Sequence, residues 1–112
     1  MADASDDALL AAMAAGDGEA ATAFVRRYQR RVFGVAYSVL GDRGRADDVA
    51  QEAFAKAWRH GTTFDARRGS VTTWLLTITR NLAIDTLRSQ RLRPVDHLEE
   101  LELRLVSSAP DP

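Results

Sequence analysis

The sequence predicts an all-α fold, four helices in one compact bundle, and three observations carry that reading. The three prolines stand at positions 94, 110 and 112, so nothing breaks a helix before residue 94. Apolar residues recur at helical spacing through most of the chain, and period-two alternation is missing until a short stretch near the C-terminus. Glycines stand at positions 16, 41 and 61, where the periodic segments end. With 112 residues, 46% of them apolar and 28% charged, the chain suits one domain and has enough apolar surface to form a core.

Each element follows from local chemistry. Ser5 is placed to cap a short first helix, Asp6 and Asp7 suit its positive end, and Gly16 closes it. Its apolar stripe is Leu9, Leu10 and Met13. Asp17 caps a longer second helix to about Leu40. Ala21, Phe24, Val25, Tyr28, Val32, Val35, Ala36 and Val39 line one side of it, while Arg26, Arg27, Arg30 and Arg31 occupy much of the rest.

A third helix is expected over roughly residues 45–60. Ala46, Val49, Ala50, Ala53, Phe54, Ala57 and Trp58 form its inward stripe, and Asp47, Asp48, Gln51, Glu52, Lys56 and Arg59 face away. Residues 61–69, GTTFDARRG, read as a glycine-bounded loop. Ser70 then caps a fourth helix to about Leu92, with Val71, Trp74, Leu75, Ile78, Leu82 and Leu87 inward. Pro94 ends it, because the residue before proline is steered away from helix. Residues 1–93 therefore make the helical domain, and the acidic residues 94–112 read as a linker or truncated tail.

Composition removes several function classes. There is no cysteine, hence no disulfide, thiolate zinc site or cysteine nucleophile. No apolar run approaches the roughly 20 residues of a membrane span, and residues 1–25 hold no base to start a secretory signal. A cytoplasmic chain without membrane insertion is expected. His60 and His97 lack metal-ligand spacing and no glycine-rich phosphate loop follows a strand, so neither an enzyme nor a cofactor is expected.

The net charge of −1 conceals a polarity along the chain. Residues 1–25 hold five acids and no base; residues 26–93 hold 14 bases against six acids; the last 19 residues are again acidic. A basic centre between acidic ends points to a polyanionic partner, and arginine, 14 of the 15 bases, suits phosphate geometry.

Three placements carry candidate function. Asp47, Asp48, Gln51 and Glu52 fall on one patch of the third helix, since i, i+3 and i+4 positions are neighbours; a solvated charged face would look the same. The fourth helix carries Arg80, Arg88, Arg91 and Arg93, with Asn81 and the hydroxyls of Thr72, Thr73, Thr77 and Thr79. Arginine and hydroxyl groups supply phosphate contacts, and asparagine can read a base edge; a solvated basic face is the plain alternative. The Gly61–Gly69 loop offers Phe64, Asp65, Arg67 and Arg68, a composition suited to an unstacked base, although Phe64 also reads as a plug at the core's edge. Trp58 and Trp74, on apolar stripes, read as core.

The strings RADDVAQEAFAKAWRH and FDARRGSVTTWLLTITRNLAIDTLRSQRLR resemble the second conserved region of bacterial sigma factors of the extracytoplasmic-function (ECF) type, over about residues 6–93. The resemblance implies a sigma2-type bundle that binds core RNA polymerase and recognises and opens the promoter −10 element. It gives Asp48, Gln51 and Glu52 the docking role on the coiled coil of the largest polymerase subunit. It implies base capture by the loop from His60 to Gly69, with Phe64, Asp65, Arg67 and Arg68. It sets Thr72, Thr73, Arg80, Asn81, Arg88 and Arg91 near the non-template strand, and implies an anti-sigma factor as regulator.

Two departures bear on it. Trp74 is the one aromatic of the last helix, which implies weak melting and stringent promoter choice. ECF sigma factors continue into a second helical domain that reads the −35 element, so a chain stopping at Pro112 is expected to be the first domain alone. The rival reading is a helical protein-interaction module that docks without opening DNA. A helix-turn-helix regulator expects two short helices about a tight turn, which the long last helix and its nine-residue loop do not match.

Overall fold

The structure, a computed structural model, describes residues 4–92, with side chains through Gln90. The expected stop at Pro94, the acidic tail, Arg93 and the Arg91 side chain lie outside the described residues. Four helices follow in order: α1 (Asp6–Ala14), α2 (Gly18–Leu40), α3 (Arg43–His60) and α4 (Val71–Leu92).

Side-chain caps set all four starts, Ser70 serving α4 through the Thr73 amide. Ser5 Oγ accepts from the Ala8 amide at 3.0 Å, and Asp17 Oδ1 accepts from the Glu19 and Ala20 amides at 3.0 and 3.2 Å. Asp42 Oδ1 accepts from the Arg45 amide at 2.8 Å, so α3 begins two residues earlier than expected. The strength of that cap carries Gly44 into the first turn.

α2 is the centre of the bundle and packs most extensively on α3, then on α4. Its inward line is Ala20, Phe24, Tyr28, Val32 and Ala36; Ala21 is only half-buried. Leu10 of α1 and Val71 and Leu75 of α4 close over Phe24, Tyr28 and Val32. α3 meets α2 through Ala46, Val49, Ala50, Ala53 and Ala57. Side chains that small let two helix backbones approach closely, which seats α3 firmly.

Three expectations about inward faces are corrected. Trp58 is 57% exposed: it stands about 100° around α3 from Ala57, on a flank that no other helix covers among the described residues. Trp74 is half-buried rather than central. Thr79, expected among the outward hydroxyls, is fully buried, and its Oγ1 donates to the Leu75 carbonyl at 2.9 Å. A threonine hydroxyl satisfied by the preceding turn can occupy a core position.

Candidate nucleic-acid interface

The segment between α3 and α4 is built rather than loose. Gly61 is buried against α1, where a Cβ would come within 3.0 Å of the Ala14 Cβ and 3.2 Å of Leu10 Cδ1. A larger residue would make Leu10 and Ala14 give by a few tenths of an ångström. Two 3₁₀ turns follow, Gly61–Thr63 and Ala66–Arg68. Asp65 caps the second: its Oδ1 accepts from the Arg67 amide at 2.9 Å, and its two oxygens receive Arg67 Nε and a terminal guanidinium nitrogen at 3.2 Å each. The Arg67 side chain, then its amide, hold the Asp65 carboxyl below the usual carboxylate range. Gly69 has φ +149°, a conformation other residues rarely adopt, and swings the chain into α4. Ser70 Oγ then accepts from the Thr73 amide at 3.1 Å.

This course brings Phe64 edge-on to Trp74, with ring centroids 5.6 Å apart at 65°. Together with Ile78 they form the apolar part of a groove of about 370 Å³. Thr63, Asp65, Arg68, Ser70, Thr73, Thr77 and Asn81 supply its polar rim. Phe64, Asp65, Arg68, Thr73 and Asn81, all expected site residues, are thus brought together. Arg67 lies beside the groove, exposed and paired to Asp65. Arg80 and Arg88 are exposed on α4 outside the groove. Thr72 turns inward, its Oγ1 3.0 Å from the Tyr28 hydroxyl.

Trp74 and Ile78 are the groove residues that sequence reasoning assigned to the core, and Thr63 and Ser70 were not singled out as site residues. The spacing of Trp74, Thr77, Ile78 and Asn81, one face over two turns, is the signal that could have joined them. An apolar floor with convergent polar groups is the general form of a small-ligand site, and an edge-packed aromatic pair offers a base a surface to lie on.

The second candidate face is α3. Asp47, Asp48, Gln51 and Glu52 are all exposed, and Gln51 Nε2 donates to Asp47 Oδ2 at 3.2 Å. Asp47 and Gln51 border a cleft against Gln29, Arg30 and Phe33 of α2. Glu52 borders another against Asp85, Thr86 and Ser89 of α4. The expected trio Asp48, Gln51 and Glu52 therefore shares one helix surface, with α2 supplying Arg30 and Phe33 beside it. Those α2 residues were missed; the stacked i, i+4 pair Phe33–Tyr37, 5.8 Å apart at 10°, outside the core stripe was the available signal. Among the described residues no cluster of three His, Asp or Glu is arranged to hold a metal, and no helix is long and apolar enough to cross a membrane.

A family model described as sigma-70 region 2 matches residues 24–93. The chain belongs to the sigma-70 region 2 family. The resemblance read from its motifs is borne out, as is the all-α fold. This region 2 chain is 36% identical over 85 residues to the ECF RNA polymerase sigma factor SigK of Mycolicibacterium vanbaalenii, covering 76% of this chain and 43% of that protein. It is 35% identical over 85 residues to SigK of Mycobacterium tuberculosis, covering 76% and 46%. The chain thus spans less than half the length of these curated relatives. Among solved structures it is similar to an engineered region 2 of sigmaE, determined by NMR in complex with GTAAAA. That likeness has a TM-score of 0.70 and 36% identity, and covers 80% of this chain and 95% of the other.

Proposed function

We propose that this domain binds core RNA polymerase through the exposed face of α3 and recognises and opens the promoter −10 element, holding the non-template strand along α4. The observation that carries this reading is the groove between the Phe64–Ser70 segment and the first three turns of α4. It has an aromatic floor, an asparagine and three threonines on its rim, and arginines further along the same helix. The related sigmaE region 2 is described in complex with a hexanucleotide, which supports a single-stranded ligand here.

In this reading each group has one task. The Phe64–Trp74 pair takes the face of an extruded base. The Asn81 amide offers a donor and an acceptor to its edge, and the Asp65 carboxylate accepts from an exocyclic amine. Thr73 and Thr77 donate to the backbone, while Arg68, Arg80, Arg88 and Arg91 neutralise phosphates. Holding the open strand better than the duplex shifts the equilibrium toward opening. The α3 face, with Asp48, Gln51 and Glu52, meets the coiled coil of the largest polymerase subunit, and an anti-sigma factor is the regulator this class of protein expects.

The test is titration of the domain with short single strands tiled through candidate −10 sequences. One hexamer is expected to bind at least tenfold more tightly than its scrambled versions. Equal affinity for every strand would reduce the domain to a polymerase-docking module that does not read DNA.

A further inference from the structure

Thr72 was expected to meet DNA, yet its side chain points into the bundle. Its Oγ1 lies 3.0 Å from the hydroxyl of Tyr28, a fully buried residue. Phe24 packs on the Tyr28 ring at 5.0 Å, and the Arg31 guanidinium lies 4.7 Å from its centroid. Beside it on α2, Arg27 reaches Asp6 at the start of α1, its guanidinium donating to the carboxyl at 2.9 Å. The first turns of α1 and α4 are thereby both tied to the middle of α2.

At the Tyr28–Thr72 contact either hydroxyl can be the donor. A phenol has one proton and can also accept, and burial keeps Tyr28 protonated. Either way, the Thr72 hydroxyl is engaged with a buried phenol. That contact turns Thr72 Oγ1 toward α2, and Thr72 is not among the residues that line the groove.

We propose that Thr72 is not a DNA contact but a positioning residue, acting with Tyr28 to fix the first turn of α4 so that Thr73 and Trp74 stand as a rigid wall of the groove. The consequence for base selection rests on the −10 reading above; the positioning itself does not.

The experiment uses the whole chain in two arms. In the free protein, amide hydrogen exchange is read at Thr73 and Trp74, whose N–H groups are held by Ser70. Tyr28→Phe and Thr72→Val should each speed exchange there by about 3- to 10-fold, the scale of one hydrogen bond, while α3 amides stay unchanged. Thr72→Ser, which keeps the hydroxyl, should restore protection. In the second arm, affinity is compared between the single strand GTAAAA and versions with one base changed. Both single variants should narrow that discrimination several-fold without altering the salt dependence, and Thr72→Val should cost nothing further in a Tyr28→Phe background. A full additional loss in that background would show that Thr72 touches the strand directly and overturn the proposal. Unchanged exchange at Thr73 and Trp74 would overturn it as well. If the parent domain fails to distinguish the strands, the −10 reading falls, and the exchange arm still decides the positioning role.

Discussion

The two candidate faces are made in different ways. The α3 face is a row of exposed polar side chains on one uninterrupted helix, carried by alanines and a valine that seat it against α2. Nothing beyond helical spacing is needed to assemble it. The groove, by contrast, depends on Gly61 fitting against α1, Asp65 closing a 3₁₀ turn, Gly69 at positive φ and a ring from the loop meeting a ring from α4. The first face can change its charge with little effect on the fold. The second cannot be altered without moving the parts that shape it.

The two tryptophans give the widest separation between the faces. Trp74 is half-buried, packed on Phe64 and against the main core, whereas Trp58 stands 57% exposed on α3. Trp74→Ala should lower stability by about 2–4 kcal/mol in chemical denaturation, near the range for truncating core aromatics. Trp58→Ala should change it by no more than about 0.5 kcal/mol. Equal losses would mean that α3 leans on a neighbour through Trp58 and that the two faces are not independent.

Next in size are the binding effects, and they should cross over. Glu52→Arg should weaken polymerase binding by about tenfold, roughly 1.4 kcal/mol, while leaving the melting temperature and single-strand affinity unchanged. Asn81→Ala should do the reverse, reducing discrimination at one base by about 1–2 kcal/mol with polymerase affinity intact. A pull-down titration and a strand titration on both variants read this crossover directly. Loss of both activities in either variant would merge the faces into one site.

The same contrast explains what could be read from the sequence. The four helices, their caps at Ser5 and Asp17, and the outward set on α3 follow from local spacing, and all are present. The start of α3 was misplaced because Asp42 was not recognised as its cap. Trp58, Trp74 and Ile78 were assigned inward on periodicity alone. Periodicity gives the direction of the core for residues at the middle of a stripe, such as Val49 and Ala53. At the flanks, exposure is decided by which other helix lies alongside, and among the described residues none covers α3's flank at Trp58. Thr72 and Thr79 show the same limit for polar residues: a hydroxyl on a basic helix reads as a ligand for phosphate until a buried tyrosine or a preceding carbonyl is found to hold it.

A smaller effect separates affinity from selectivity within the proposed DNA face. Arg88 is exposed on α4 beyond the groove, so it should act through charge and not through base identity. Arg88→Ala should flatten the salt dependence of strand binding by roughly 0.7, the value for one phosphate on a single strand, and weaken all sequences alike. A change in base preference would place Arg88 against a base edge and extend the groove toward the C-terminal half of α4.

The smallest effect concerns the tethers that hold the groove's supports, and its sign can be worked out. Asp6 is held below the usual carboxylate range by its hydrogen bond from Arg27, against the opposing cost of burial. A carboxylate whose folded value is depressed adds stability above its unfolded value, near 3.9, and loses that contribution as pH falls through the folded value. Both side chains of the Asp6–Arg27 pair are about a third exposed, so screening holds the contribution below about 1 kcal/mol. Asp6→Asn should therefore be slightly less stable than the parent by a constant margin from pH 5 to 8, and the margin should close below about pH 4. The α3 variant Glu52→Arg supplies the contrast, since its residue makes no such link to Arg27. Melting temperatures of parent and Asp6→Asn measured from pH 2.5 to 8 read the difference. A margin that persists at the acid end would show that Asp6 acts on the fold through the start of α1 and not through its charged pairing with α2.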